Sequence, residues 1–336
     1  MCQVQWNWRV SGHFKAGGVL PLAYGTSELG QLAALREEGA TPGFTSEVSP
    51  IELPLMSPLW CNGEWLAARD FRAAPLDRGA IHGLGLFETL LGMGGKVVFL
   101  ERHLARLAAG CARLGWLAPQ QQFADLPESM VRLLEMAGLT SGQARLRLTV
   151  SAGTGPLANL ASGTDRVVWM TASPLAEPPA ALAVNTAPWP RNERGALAGL
   201  KCASYAENLV ALDQARRDGF DETLFFNTAD ELCEAATGNV FVVRDGVVMT
   251  PHLASGCLAG ITRGVVLELA AGGGIVCGEG VLGRAELDGA DEVFVTSATR
   301  GPVVVARVGE RRLGPSRLGP RIRSLWEAQV RRNILA

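Results

Sequence analysis

Apolar and polar positions along the chain fall into two regimes. Residues 1–55 are rich in Gly, Pro, Ser and Thr, show no strand-like alternation, and predict one short helix, Ser27 to Glu38. Just beyond Met56 the pattern sharpens. Leu59-Trp60-Cys61-Asn62-Gly63-Glu64-Trp65 reads as two strands joined at Asn-Gly, the pair that best tolerates the positive φ of a two-residue hairpin turn. Residues 1–56 are therefore expected to be an extension of unknown role, with Met56 as the alternative start.

Further along, Val97 to Leu100 predicts a strand and Glu101 to Leu114 a helix, whose Leu104, Leu107 and Cys111 share one face before Gly115. A second helix, Pro127 to Ala137, stops at Gly138. Alternation returns over Ala144 to Val150, and Val167 to Thr171 predicts another strand. Ser173 to Pro179, with three prolines, reads as a linker. Beyond it, strands are expected at Leu182 to Thr186, Thr223 to Phe226, Asn239 to Val243 and Val247 to Thr250. Helices are expected at Ser204 to Arg217 and Thr262 to Ala271. Asp245-Gly246 signals a second tight turn, Pro188 to Gly199 an irregular loop, and Gly272-Gly273-Gly274 a loop rather than a nucleotide motif. The chain is of the mixed α/β (α+β) class.

Composition narrows the choice of function. The 336 residues are 48% hydrophobic and 19% charged with a formal net charge of −2, which excludes global disorder and leaves length for two domains. Nucleic-acid binding would call for a basic balance that is absent. No apolar run approaches the ~18 residues of a membrane span, and the N-terminus lacks the design of a signal peptide. Seven cysteines without a CxxC pair read as reduced thiols, so a cytoplasmic protein without a metal site is expected. Of 31 basic residues only Lys15, Lys96 and Lys201 are lysines. Codon preference accounts for the number, but chemistry that needs a deprotonated amine has only these three to draw on, because arginine stays protonated.

Lys201 stands directly before the Ser204 helix among apolar neighbours. Desolvation and a positive helix end both lower an amine's pKa, and Schiff-base chemistry needs the neutral form; the plain alternative is a surface lysine. Glu234, among small residues between two strands, is either a capped turn or a carboxylate that keeps a buried basic nitrogen protonated. Gly260-Ile261-Thr262-Arg263 opens a helix, as an anion site or an ordinary helix start. Arg106 projects from the first long helix, as a solvated charge or an anion ligand. Together an amine, a carboxylate and two anion-binding groups suit pyridoxal phosphate, through its aldehyde, ring nitrogen and phosphate.

Six segments in order carry a resemblance. They are Leu76-Asp77-Arg78-Gly79…Gly83-Leu84-Gly85-Leu86-Phe87-Glu88-Thr89, Glu101-Arg102-His103-Leu104-Ala105-Arg106-Leu107, Leu200-Lys201-Cys202-Ala203-Ser204-Tyr205-Ala206-Glu207-Asn208, Glu234 through Asn239, Thr250-Pro251…Leu258-Ala259-Gly260-Ile261-Thr262-Arg263, and Ala290 through Thr296. From about Leu59 to Val330 the chain resembles the fold-type IV pyridoxal-phosphate enzymes, which include branched-chain aminotransferases, D-amino-acid transaminases and aminodeoxychorismate lyases. The resemblance implies a small domain at 57–173, a linker at 174–179 and a cofactor-binding domain at 180–336, with the cofactor in the cleft and a homodimeric assembly. It implies that Lys201 is the catalytic lysine bonded to the cofactor, Glu234 the partner of the ring nitrogen, and Arg106 the phosphate arginine. The Ile261 and Thr262 N–H groups complete the phosphate cup, with Ser297 and Ala298 beside it. Leu258 is placed to stack on the ring, and Tyr205, or its neighbour by one residue, lies near the 3′-oxygen. Relatives carry a threonine where this chain has Ala298, so one hydroxyl contact to phosphate is expected to be missing.

Within the family, a transaminase passes the amine on to a keto acid, whereas a lyase expels a substituent next to the reacting carbon. D-specific relatives hold the substrate carboxylate with an arginine where Ala152 stands here. Arg147 matches an arginine of branched-chain aminotransferases, but the tyrosine of their first motif is His82, the glycine after Phe-Glu is Thr89, and the glutamate before Asn239 is Gly238. Phe87-Glu88-Thr89, Cys233 through Asn239, and Ser297-Ala298-Thr299-Arg300-Gly301 resemble the lyases better. Arg145 and Arg147 are expected on opposite faces of their strand, with Arg147 entering the pocket; Arg300 and His82 join it as substrate residues. The resemblance therefore implies a lyase that makes 4-aminobenzoate and pyruvate from 4-amino-4-deoxychorismate, with a branched-chain or broader aminotransferase as the alternative.

Overall fold

In a computed structural model the described residues are 57–335. The expected Ser27–Glu38 helix and the question of Met56 lie outside them. The Asn62-Gly63 signal is answered directly: β1 (Pro58–Cys61) and β2 (Glu64–Ala67) pair antiparallel across a turn in which Asn62 has φ 48° and Gly63 φ 91°. After a short helix α1 (Arg78–His82) come β3 (Gly85–Met93) and the brief β4 (Lys96–Val97). Helices α2 (Leu100–Arg113), α3 (Pro119–Gln122) and α4 (Leu126–Met136) follow, then β5 (Gln143–Ser151) and β6 (Val168–Pro174). The six strands form one antiparallel sheet in the order β2-β1-β6-β5-β3-β4.

The expected strand over Val97 to Leu100 is corrected. Phe99 takes the left-handed conformation at φ 52° and donates its N–H to Asn333 Oδ1 at 2.7 Å, so the chain turns and the helix starts at Leu100. The linker is also corrected at its start. Ser173 and Pro174 are still in β6, opposite Arg145 and Ala144.

The remaining strands are β7 (Leu182–Thr186), β8 (Glu222–Phe226), β9 (Leu232–Ala235), β10 (Asn239–Arg244), β11 (Val247–Pro251), β12 (Cys277–Gly280), β13 (Glu292–Ser297), β14 (Gly301–Val308) and β15 (Arg311–Arg312). They build a nine-stranded mixed sheet in the order β12-β11-β10-β13-β14-β7-β8-β9, with β15 pairing β14. Helices α5 (Ala206–Arg217), α6 (Ile261–Gly272), α7 (Arg284–Asp288) and α8 (Leu318–Leu335) accompany it. Gly272 closes α6 rather than belonging to a loop.

Residues two apart on a strand share a face, and this organises the first sheet. Leu146 and Leu148 of β5 and Leu86 and Leu90 of β3 pack under α2 and α4, where Leu104, Leu107 and Cys111 meet them as the helical period predicts. The opposite face carries Phe87, Thr89 and Leu91 of β3 beside Thr149, Arg147 and Arg145 of β5. Arg145 and Arg147 therefore lie on the same face, and the expectation of opposite faces is corrected. On that face Leu91 joins Val98, Phe99, Val265 of α6, and Trp326 and Val330 of α8 in a buried cluster. That apolar joint fixes where the first sheet meets α6 and α8, and the charged residues next to it form the site.

Candidate active site

Lys201 is not attached to a helix, as the sequence suggested, but to a strand edge. Phe87 donates its N–H to the Lys201 carbonyl at 3.0 Å and Ala203 donates to Gly85 at 2.8 Å, while α5 begins only at Ala206. The Lys201 amine stands 4.5 Å from the centre of the Phe87 ring, and the Arg147 guanidinium 3.8 Å from the same centre. Burial, with the nearby Arg106 charge, pushes the Lys201 amine down to about 8, against the opposing pull of Glu88 and Glu234. Roughly a tenth is thus neutral and nucleophilic at pH 7, several hundred times the share of a free lysine.

A cavity of about 650 Å³ opens in front of this amine, lined by His82, Arg191, Lys201, Tyr205, Glu234 and Leu258 among others. Glu234, on β9, accepts the Leu258 N–H at 2.9 Å through Oε2, and its Oε1 faces Arg191 Nη2 at 3.7 Å. Burial raises the Glu234 carboxyl pKa, opposed by the Arg191 charge and the Leu258 hydrogen bond. Arg191 was not found from sequence: it sits in the irregular loop, stacks 4.2 Å from the Phe225 ring centre, and keeps Nε and Nη2 buried without a hydrogen-bond partner. Tyr205 donates its hydroxyl to the Ala236 carbonyl at 2.6 Å and meets Phe87 edge-on, and burial, with Glu234 and Glu222, raises its pKa.

The other residues expected to hold a cofactor gather at the N-terminus of α6. Gly260 is the cap residue and supplies no side chain, so the first-turn N–H groups, including those of Ile261 and Thr262, are free of a capping side chain. Thr262 Oγ1 donates to the Ser297 carbonyl at 3.1 Å, drawing the turn that holds Ser297 and Ala298 against this helix end. Arg106 reaches it from α2 and donates to the Ala259 carbonyl at 3.0 Å. The same guanidinium grips Glu88, through Nε to Oε1 at 2.8 Å and Nη2 to Oε2 at 2.6 Å.

The residues expected to meet a substrate divide. His82 ends α1 at the cavity rim. Arg147 lies opposite Thr89 with an accessible side chain, and Arg145 two residues away on the same face. Among the described residues neither has a carboxylate partner; partial desolvation lowers the pKa of both, reinforced at Arg145 by Arg300 and at Arg147 by Arg145, while Tyr205 opposes it at Arg147. Arg300 is otherwise engaged, donating to Glu222 Oε2 at 3.1 Å, to Thr237 Oγ1 at 2.5 Å and to Ser297 Oγ at 3.2 Å. Gly238 forms part of the cavity wall so tightly that a Cβ there would lie 2.3 Å from the Thr296 carbonyl oxygen, which bars any side chain unless β13 shifts.

The residues present suit pyridoxal 5′-phosphate on their own chemistry. A buried amine near its titration point faces a buried carboxylate with one free oxygen, and an uncapped helix end with an arginine beside it lies one residue beyond Leu258 and Ala259. Comparison with known proteins agrees. The family model for amino-transferase class IV matches residues 85–308, and the chain belongs to that family. It is 28% identical over 299 residues to the branched-chain-amino-acid aminotransferase of Escherichia coli, spanning 80% of this chain and 91% of that one. It is 26% identical over 267 residues to the aminodeoxychorismate lyase of Bacillus subtilis, spanning 76% and 88%. A hypothetical aminotransferase from Mycobacterium tuberculosis, solved in a PLP-bound form, shares the fold with a TM-score of 0.72 at 23% identity, over 81% of this chain and 98% of that one. The protein is a pyridoxal-phosphate-dependent enzyme with the fold-type IV architecture. No described helix is long and apolar enough to cross a membrane.

Proposed function

We propose that the enzyme is a lyase that converts 4-amino-4-deoxychorismate to 4-aminobenzoate and pyruvate. The observation that carries this reading is the pair of guanidinium groups, Arg145 and Arg147, on the Phe87 face with no carboxylate partner among the described residues. Arginine pairs with carboxylates in a bidentate geometry, and this substrate has two. 2-Oxoglutarate has two as well, so the choice of lyase leans also on a reaction that needs no second substrate and on the segments that resemble the lyases. The two products together contain every atom of the substrate, so no second substrate has to enter the cavity. Gly238, with no room for a side chain, adds to the support, as do the Phe87-Glu88-Thr89 and Ser297-Ala298-Thr299-Arg300-Gly301 segments.

When bound, pyridoxal phosphate supplies an aldehyde for the amine and a ring that withdraws the electron pair left by deprotonation of the carbon bearing the nitrogen. Lys201 would hold the aldehyde until the substrate amine replaces it. The freed Nζ would then take the proton from that carbon, and the enolpyruvyl group would leave from the neighbouring carbon with its C–O bond's electrons and be protonated to pyruvate. Glu234 Oε1 would keep the ring nitrogen cationic, with Leu258 and Tyr205 as the residues that would flank the ring. Arg106, the Ile261 and Thr262 N–H groups, and the backbone of Ser297 and Ala298 would hold the phosphate. Arg147 binds the nearer carboxylate, Arg145 the farther one, and His82 borders the substrate at the rim. Arg300 acts through the wall it braces with Glu222 and Thr237.

A second reading, an aminotransferase acting on branched-chain amino acids with 2-oxoglutarate, is favoured by the Escherichia coli relative, which is 28% identical over 80% of this chain. Coupling the enzyme to aminodeoxychorismate synthase tests the choice. Formation of 4-aminobenzoate and pyruvate is expected; no 4-aminobenzoate, with rapid glutamate formation from leucine and 2-oxoglutarate, establishes the second reading. The same proposal includes a domain division at residues 174–179, a cytoplasmic location and a homodimer, the last read out by the mass of the native protein in solution.

A further inference from the structure

Glu88 is buried, 1% exposed, and every contact it makes is committed. Oε1 accepts from Arg106 Nε at 2.8 Å; Oε2 accepts from Arg106 Nη2 at 2.6 Å and from His103 Nδ1 at 2.7 Å. A carboxylate can only accept, so His103 carries its proton on Nδ1 and acts as a fixed donor. A guanidinium has five N–H groups. Glu88 takes two of those on Arg106 and the Ala259 carbonyl takes a third at 3.0 Å, which leaves one N–H on each Nη for a ligand at the N-terminus of α6.

We propose that Glu88, oriented by His103, is a positioning residue that fixes the Arg106 guanidinium in the plane and rotation from which its two remaining N–H groups meet a phosphate monoester. The inference rests on the reading of Arg106 as the phosphate arginine. An arginine on a 14-residue helix could otherwise sample several rotamers at the edge of the cavity, and a bidentate carboxylate removes that freedom before the ligand arrives. Glu88 does not itself touch the cofactor, since both its oxygens face protein donors.

The proposal separates from a merely structural role by comparing two ligands that differ only in phosphate. The holoenzyme is freed of cofactor and titrated with pyridoxal phosphate and with pyridoxal, following the change in absorbance. Glu88→Gln is expected to weaken pyridoxal phosphate by about tenfold or more, the scale of a charge-assisted hydrogen bond, and to leave pyridoxal within about twofold. Arg106→Met is expected to abolish the preference for the phosphorylated ligand, and adding Glu88→Gln to it to change nothing further. Where Glu88→Gln does not fold, Glu88→Asp, which keeps the charge but shortens the reach, carries the same comparison. An equal loss for both ligands, no loss for either, or an undiminished Glu88→Gln effect in the Arg106→Met background overturns the proposal. If Arg106→Met keeps the full preference, the assignment of Arg106 fails first; if it loses the preference while Glu88→Gln does not, only the role of Glu88 falls.

Discussion

The site holds two buried carboxylates, and they are treated in opposite ways. At the α6 end, Glu88 receives three hydrogen bonds from cationic or fixed donors. Burial alone would raise its pKa, but the Arg106 charge and the bonds from Arg106 and His103 outweigh it and hold the carboxyl down to about 2. At the other end, Glu234 receives one backbone N–H, its free oxygen stands 3.7 Å from Arg191, and burial dominates so that its pKa rises. A satisfied buried charge builds structure. One left short of partners is poised for a ligand, at a cost to the empty protein.

The largest expected effect falls between the two ends. Lys201→Ala should abolish the visible absorbance of the bound cofactor and lower turnover by about 10³-fold or more, as loss of both nucleophile and base implies. Glu234→Gln should keep the cofactor but lower kcat by about 10²-fold, because a neutral amide cannot hold the ring nitrogen cationic. Arg147→Met should raise KM by about 10-fold with a smaller change in kcat, and Arg145→Met should follow the same pattern if the substrate has two carboxylates.

Stability gives a test in which the two carboxylates differ in sign. Glu88→Gln strips a buried arginine contact of its charge and is expected to destabilise the cofactor-free protein by about 3 kcal/mol. Glu234→Gln removes an under-compensated charge and should leave the melting temperature equal or higher. The pH dependence follows. The Glu88 pKa is depressed from 4.5 to about 2, so its contribution is present above 4.5 and fades as pH falls toward 2. The Glu234 pKa is raised above the ordinary 4.5, so its penalty sets in as pH rises past 4.5 and is complete once the folded carboxyl has ionised, and Glu234→Gln should flatten this part of the curve. A further test is kinetic: condensation of pyridoxal with the cofactor-free enzyme should speed up as pH rises, be half-maximal near about 8, and level off above that as Lys201 becomes fully neutral.

How much of this was legible in the sequence depended on how local each cause is. The Asn62-Gly63 turn, the α2 stripe and the Gly260 helix start are set within a few residues and were readable. Strand β3 was not: buried along both faces for most of its length, it shows no alternation to separate it from any other apolar run. Lys201 stood out because only three lysines exist, although its pKa is lowered by burial and Arg106 rather than by a helix end. Arg191 gave no signal, since its stacking on Phe225 and its approach to Glu234 arise only when a loop folds over two strands. Arg300 had the right residue type, but its pairing with buried Glu222 is a tertiary fact. The shared face of Arg145 and Arg147 follows from the strand period of two, which the expectation of opposite faces misapplied, and it is this face that bears on the substrate.

Everything at the site turns on the Lys201 amine. Borohydride reduction of the holoenzyme, followed by peptide mapping, reads directly which amine carries the cofactor. A phosphopyridoxyl group on the peptide containing Lys201, and on no other lysine, is expected. A label on Lys96 or Lys15, or an unlabelled Lys201 in an enzyme that still turns over, would contradict the assignment.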